Sequence, residues 1–353
     1  MSKLICRMNH NPVHCLIPPY ILERLLKSKN PKVRDHAIRN LAAAAEFRAR
    51  RNVFRAAPMM GISASPLAKK HRLVYTAGGS TTLPGKLLRS EGAPASKDSA
   101  VNDAYNHSGS VYDFYNKVFG RNSLDDQGMT LTSSVHVGES GGGAMSNAFW
   151  DGTQMAYGDG DGVIFKNFAK ALDVVGHELT HGVQSFTSNL EYRGQSGALN
   201  EHFADVFGAL IRQWKKKQKV AGANWLIGDE IIVKTATRRA LRDMQNPGTA
   251  FVNDPDLGDD PQPAHMNKLY KGGQDYGGVH INSGIPNRVF VLAAKSLGGY
   301  AWGPAGRIWF DTLQQLSSTS QFADCARISR QVATGTSAAA AKAVDDAWKA
   351  VGL

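Results

Sequence analysis

Asp173-Val174-Val175-Gly176-His177-Glu178-Leu179-Thr180-His181 decides how the rest of this chain is read. Apolar residues recur through residues 171–185 at helical spacing, so the segment reads as a helix. His177 and His181 are then about one turn apart, and both imidazoles leave the same helix face. Two neutral imidazole nitrogens at that spacing suit a tetrahedral zinc ion, with Glu178 leaning toward the same cleft as a base. Two solvated histidines on a helix surface would give the same local pattern, so a third ligand is needed. Glu201 supplies it, in Ser196-Gly197-Ala198-Leu199-Asn200-Glu201-His202-Phe203-Ala204-Asp205. A catalytic zinc takes three protein ligands and keeps a fourth position open. Asp205, one turn beyond Glu201, can accept the far N–H of a ligating histidine and fix its tautomer.

Outward from this centre the chain has three textures. Residues 1–50 begin with an extended piece, because Pro18 and Pro19 fix φ and bias their predecessors away from the helix. Helical spacing follows at 20–26 and 34–51. Residues 51–71 read as a linker rich in Pro, Gly, Ser and Lys, the kind of segment where proteolysis falls. Residues 72–170 read as strand and turn around one helix near 100–119, with strands at 73–75, 83–88, 134–137 and 148–155. Residues 171–353 are mostly helical, with segments at 171–185, 198–219, 287–297, 305–315 and 338–351. A strand-rich part followed by a helical part indicates an α+β protein.

Five blocks in order carry a resemblance: Asn147-Ala148-Phe149-Trp150, Tyr157 to Gly162, Asp173 to His181, Ser196 to Gly208, and Gly277-Gly278-Val279-His280-Ile281-Asn282-Ser283-Gly284. The chain from about Val74 to Leu353 resembles the thermolysin-like zinc peptidases. The resemblance implies two lobes, strand-rich then helical, with the zinc helix on the cleft floor. It implies that His177, His181 and Glu201 hold zinc, and that Glu178 is general base to the zinc-bound water. His280 and Tyr157 would donate to the oxyanion, with Asp275 orienting His280. Asp205 and Asn200 would support the ligands. Asn147 and Ala148 would hold the substrate as an added strand, and Arg242 would bind a substrate carbonyl. Phe165, Val174, Ile227 and Leu241 would wall an apolar pocket, which implies endopeptidase cleavage before Leu, Phe or Ile.

The N-terminal fifty residues resemble the short leader of the protealysin branch, with Pro18-Pro19-Tyr20 entering the cleft as an inhibitory motif. The implied protein is a proenzyme whose leader is removed between about Arg50 and Lys70. A thiolate from Cys15 or Cys6 is a second way of capping zinc. The family's usual calcium positions are largely lost. Asp173 and Asp229 remain, but Arg212, Asn224 and Leu226 stand where further ligands are expected, and Lys215-Lys216-Lys217-Gln218-Lys219 repels a divalent ion. Thr237-Arg238-Arg239 has the wrong sign for a second site. Calcium binding there is expected to be weak or absent.

The 353 residues carry a net charge of +11, but residues 1–50 hold ten Lys/Arg against three Asp/Glu. The excess therefore lies in the leader, and no basic-aromatic recognition motif accompanies it, so a nucleic-acid partner is not expected. No run approaches the roughly 20 apolar residues of a membrane span. No apolar h-region of about 7–15 residues opens the chain. The precursor is expected in the cytoplasm, with export only by a non-standard route, and as a monomer. A binding protein that never releases its leader is the competing class, and the full set of catalytic residue types argues against it.

Overall fold

The computed structural model describes residues 14–56, 69–139 and 141–353. One sheet is built from β1 (His14–Cys15), β2 (Arg72–Thr76), β3 (Lys86–Ser90), β4 (Leu131–Val137), β5 (Ala148–Trp150) and β6 (Met155–Gly158), in spatial order β1-β5-β6-β4-β2-β3. Strands β2, β4 and β6 run parallel, whereas β3, β5 and β1 pair antiparallel with their neighbours. Residues 148–155, which read as one strand, form two. Asp151 accepts from the amides of Thr153 and Gln154, turning the chain between them.

Two leader helices, α1 (Pro19–Leu25) and α2 (Pro31–Ala56), precede α3 (Ser99–Phe119). Asp98 caps α3 through the amides of Ala100 and Val101. Helix α2 runs past the boundary expected at residue 50, and residues 57–68 of the expected cleavage region lie outside the described residues.

The second lobe consists of α4 (Leu172–Ser185), α5 (Gly194–Lys216), α6 (Asp275–Asn282), α7 (Gly284–Leu297), α8 (Pro304–Gln315), α9 (Phe322–Thr336) and α10 (Ala338–Lys349), with a ribbon of β7 (Leu226–Ile227) and β8 (Arg242–Asp243). Helix α9 and the short α6 were not legible in the sequence. In α6, residues Tyr276, Gly277 and Gly278 have positive φ, which breaks the helical pattern. Helices α4 and α5 pack closely because Gly208 carries no side chain. A Cβ there would lie 2.5 Å from the Asp173 carbonyl oxygen and 3.1 Å from the His177 nitrogen. Val174, Val175, Leu179 and Val183 of α4 are fully buried, each contributing about 1.5–3 kcal/mol relative to exposure.

The leader spans both lobes. On α1, Tyr20, Ile21, Leu22 and Leu25 are buried, while Arg24 donates to the carbonyls of Leu257 and Asp259 at 2.5 and 2.6 Å. On α2, Arg39 donates to Glu139 at 2.9 Å, and Asn40 accepts from the Ser146 amide at 2.8 Å. Burial pushes the Glu139 carboxyl up to about 7, although Arg39 works against this.

His136 of β4 joins two parts of the first lobe. Its ring reaches Asp159 at 2.8 Å and the capping residue Asp98 at 2.8 Å. The Asp159 hydrogen bond leads in holding its pKa at about 9, against the opposing effect of burial. Because the folded-state pKa is raised above the usual ~6.5, the stabilisation is complete below about pH 6.5 and lost as pH rises through about 9. Thermal unfolding midpoints of wild type and His136→Gln should therefore differ most near neutrality and converge above about pH 9. Parallel curves across that range would contradict this role.

Candidate metal centre and active site

Three groups from two helices converge on one point. His177 and His181 of α4 bring their Nε2 atoms to 3.1 Å from each other, and each lies 3.5 Å from an oxygen of Glu201 on α5. All three residues are fully buried. Two ligands at about 2.0–2.1 Å from one tetrahedral zinc stand about 3.3–3.4 Å apart, so the spacing fits. The outer ring nitrogens are engaged: His177 Nδ1 with Asp205 Oδ1 at 2.9 Å and His181 Nδ1 with Asn200 Oδ1 at 2.7 Å. If these two nitrogens carry the protons, both Nε2 lone pairs face the shared point. Glu201 Oε2, buried, has no hydrogen-bond partner among the described residues. A buried carboxylate oxygen aimed at two imidazole nitrogens is a donor set for a divalent cation.

Asp205 does more than orient His177. Arg242 grips it with two hydrogen bonds of 2.8 Å, and Asn287 donates a third at 2.9 Å. Burial alone would raise its pKa, but Arg242 and His177 together hold the carboxyl well below the usual range. Arg242 is held protonated by the same partner despite its own burial.

Glu178 follows His177 and is fully buried, with one oxygen accepting from the Trp150 amide at 3.1 Å. His280 enters from α6. Asp275 accepts from its ring Nδ1 at 2.6 Å and from its backbone N–H at 2.7 Å. The left-handed run through Gly277 and Gly278 lets Asp275 fold back onto the ring. Burial opposes charge on His280, but Glu201 and Asp275 outweigh it and raise the pKa to about 9.

Tyr157 makes no hydrogen bond to this group among the described residues, although burial and the nearby Glu178 carboxylate push its pKa up. It lies in β6 opposite Ala148, and its buried hydroxyl makes no hydrogen bond among the described residues. The hydroxyl at the centre belongs to Tyr192, which donates to Glu201 Oε1 and stands 3.0 Å from His280 Nε2. Tyr192 sits in the irregular link between the two metal-bearing helices, nine residues before Glu201. No periodicity marks it, and only its place in that link could have drawn attention.

Asn147 Oδ1 accepts from the Ile17 amide at 3.1 Å, and the Ala148 carbonyl accepts from the Leu16 amide at 3.2 Å. The leader residues on the edge strand are thus Cys15, Leu16 and Ile17, not Pro18-Pro19-Tyr20. Pro18 has no N–H to extend the ladder and instead precedes α1, on which Pro19 and Tyr20 lie. Cys6 lies outside the described residues. Phe165, Val174, Ile227 and Leu241 are all buried in the main apolar cluster, together with Leu16.

A paired-histidine and carboxylate centre with an adjacent carboxylate base, in a cleft holding an extended chain, defines a metallohydrolase of peptides. Residues 65–185 match the catalytic domain of thermolysin metallopeptidases, and residues 188–353 match their alpha-helical domain. The chain is 43% identical to an extracellular metalloprotease of Pectobacterium carotovorum over 98% of both chains. It is 42% identical to protease PrtS of a Photorhabdus strain over 98% of this chain and 94% of the relative. The precursor of protealysin from Serratia proteamaculans superimposes with a TM-score of 0.86 at 44% identity, covering 96% of this chain and 99% of that one. The chain belongs to the thermolysin family of metallopeptidases. It is a metalloprotease made as a precursor with its own propeptide, in the expected two-lobe fold.

Replacing Asp205 by Ala leaves Arg242 buried and unpaired, and such a loss costs about 3–5 kcal/mol. It also frees the outer nitrogen of His177, which should weaken zinc binding about 10–100-fold. Competition of wild type and Asp205→Ala against a chromophoric zinc chelator checks this. Equal zinc affinity would contradict the support role.

Proposed function

We propose that this protein is a zinc endopeptidase that cuts before bulky apolar residues. The observation carrying the proposal is the convergence of His177, His181 and Glu201 beside Glu178, facing an extended chain bound along Asn147 and Ala148. Zinc, when bound by those three residues, supplies Lewis acidity to the attacking water and the scissile carbonyl. Glu178 takes the proton of the attacking water and later delivers it to the leaving amine. His280 and Tyr192 donate to the oxyanion as it develops, with Asp275 fixing the imidazole. Tyr192 takes the part that the sequence resemblance gave to Tyr157. Arg242 donates to the carbonyl of the residue after the cut. Val174, Ile227 and Leu241 offer that residue an apolar wall with no partner for a charge.

Mass spectrometry of a casein digest should show an excess of Leu, Phe and Ile at new N-termini. Glu178→Gln should abolish cleavage, Tyr192→Phe should lower kcat about 100–1,000-fold with a smaller change in KM, and Tyr157→Phe should stay near wild type. Loss on Tyr157→Phe but not Tyr192→Phe would reverse the assignment, and an even spread of new termini would sink the stated preference.

We propose further that this protein needs no calcium at the first of the positions considered above. Arg212 is buried, with its guanidinium 3.1 Å from Asp173 and 2.7 Å from Asp229, and it also donates to the carbonyls of Leu226 and Asn224. A built-in cation thus occupies an oxygen-lined place that would otherwise call for an added one. Calcium titrated into the zinc-loaded protein should release no heat of micromolar binding and leave Tm unchanged to about 1 °C. A clear calcium-dependent rise in Tm would refute it.

A further inference from the structure

The leader lies in the cleft with a definite register. His14 and Cys15 pair antiparallel with Trp150 and Phe149, and the ladder continues through the amides of Leu16 and Ile17 to Ala148 and Asn147. Two carbonyls of the same stretch face side chains of the site. The Cys15 carbonyl accepts from His280 Nε2 at 3.0 Å, and the Leu16 carbonyl accepts from Arg242 Nη1 at 3.4 Å. His280 is itself 3.5 Å from the ligating carboxylate of Glu201. The carbonyl held by His280, beside Glu201, is therefore that of Cys15, and the amide nitrogen bonded to its carbon is that of Leu16. Leu16 is fully buried and shares the apolar cluster of Val174, Ile227 and Leu241.

We propose that the Cys15–Leu16 peptide bond occupies the scissile position and that the protein hydrolyses this bond in its own leader. The proposal rests on the reading of the site as a zinc peptidase. Water oxygen bonds to the Cys15 carbonyl carbon, the bond from that carbon to the Leu16 nitrogen breaks, and a water proton passes through Glu178 to that nitrogen. The second water proton follows to the same nitrogen, so the products are a Cys15 carboxylate and a Leu16 ammonium, with no other reactant.

Cutting this bond does not open the cleft. Beyond it, Ile17, Tyr20, Ile21, Leu22 and Leu25 are buried, and Arg24 and Arg39 tie the leader to separate lobes. The new ammonium stays beside the new carboxylate, so re-formation of the bond competes with departure. The cut leader remains an inhibitor until the later part of the leader also lets go.

The test uses the full-length zinc-loaded protein, incubated with casein and followed by intact-mass analysis of both. The expected result is a pair of chains, 1–15 and 16–353, that travel together in gel filtration and separate in denaturant. Glu178→Gln should not form them. Leu16→Asp should lose the cut, because burying a carboxylate in the apolar cluster that holds Leu16 is costly. Casein cleavage without a new terminus at Leu16 overturns the register and leaves the peptidase reading standing. Silence toward the leader overturns the register, and if removal of the leader by an added protease then yields no casein cleavage, the peptidase reading falls as well. Independently of turnover, amide exchange on metal-free Glu178→Gln should show the Leu16 and Ile17 amides protected, with protection lost in Leu16→Asp. A freely exchanging Leu16 amide would also overturn the proposal.

Discussion

Asp205 sits fully buried between the metal helix and the ribbon of the second lobe, accepting from His177, from Arg242 twice and from Asn287. A lone carboxylate there would be prohibitively desolvated, and the paired guanidinium makes its charge tolerable. The same pairing fixes Arg242 where it meets a bound chain and turns the His177 ring so that Nε2 faces His181. The ring orientation of His177 and the grip on the leader's Leu16 carbonyl are thus set by one ion pair. Its dependence on the close approach of α4 and α5, which Gly208 permits, explains why so much of the centre is carried by two helices.

Charge placement recurs as a theme. Arg212 braces the start of α4 through Asp173 and the loop leading to Ile227 through Asp229 and two carbonyls. The cation is covalently part of the chain, so no binding equilibrium stands between the fold and its pocket wall. In the leader, Arg24 and Arg39 reach opposite lobes. Two of the basic residues of the N-terminal segment thus clasp its own catalytic body.

The cluster of His177, His181 and Glu201, with Glu178 beside it, was legible because helical spacing and ligand chemistry are local properties. Two histidines one turn apart and a carboxylate on the next helix leave few alternatives. Tyr192 was not legible, since it reaches the site from an irregular link where no period distinguishes it from any surface tyrosine. Tyr157 was given its role by the resemblance alone, and the Gly-rich run after it serves a turn in which Asp161 accepts from the amides of Val163, Ile164 and Phe165. The leader's pairing with the edge strand falls at residues 15–17, just ahead of Pro18-Pro19-Tyr20, while Tyr20 is buried close enough to feel the charges of Asp275 and Arg242. Pro18 and Pro19 mark where the chain leaves the edge strand, because a residue without an N–H cannot extend the ladder. The strand ahead of them, only two residues long, carries no pattern of its own.

X-ray absorption at the zinc edge of the purified full-length protein is the most direct measurement of the centre. One zinc per chain should show only nitrogen and oxygen neighbours, two of them imidazoles at about 2.0–2.1 Å. A sulfur neighbour at about 2.3 Å, or a single imidazole, would contradict a site made of His177, His181 and Glu201.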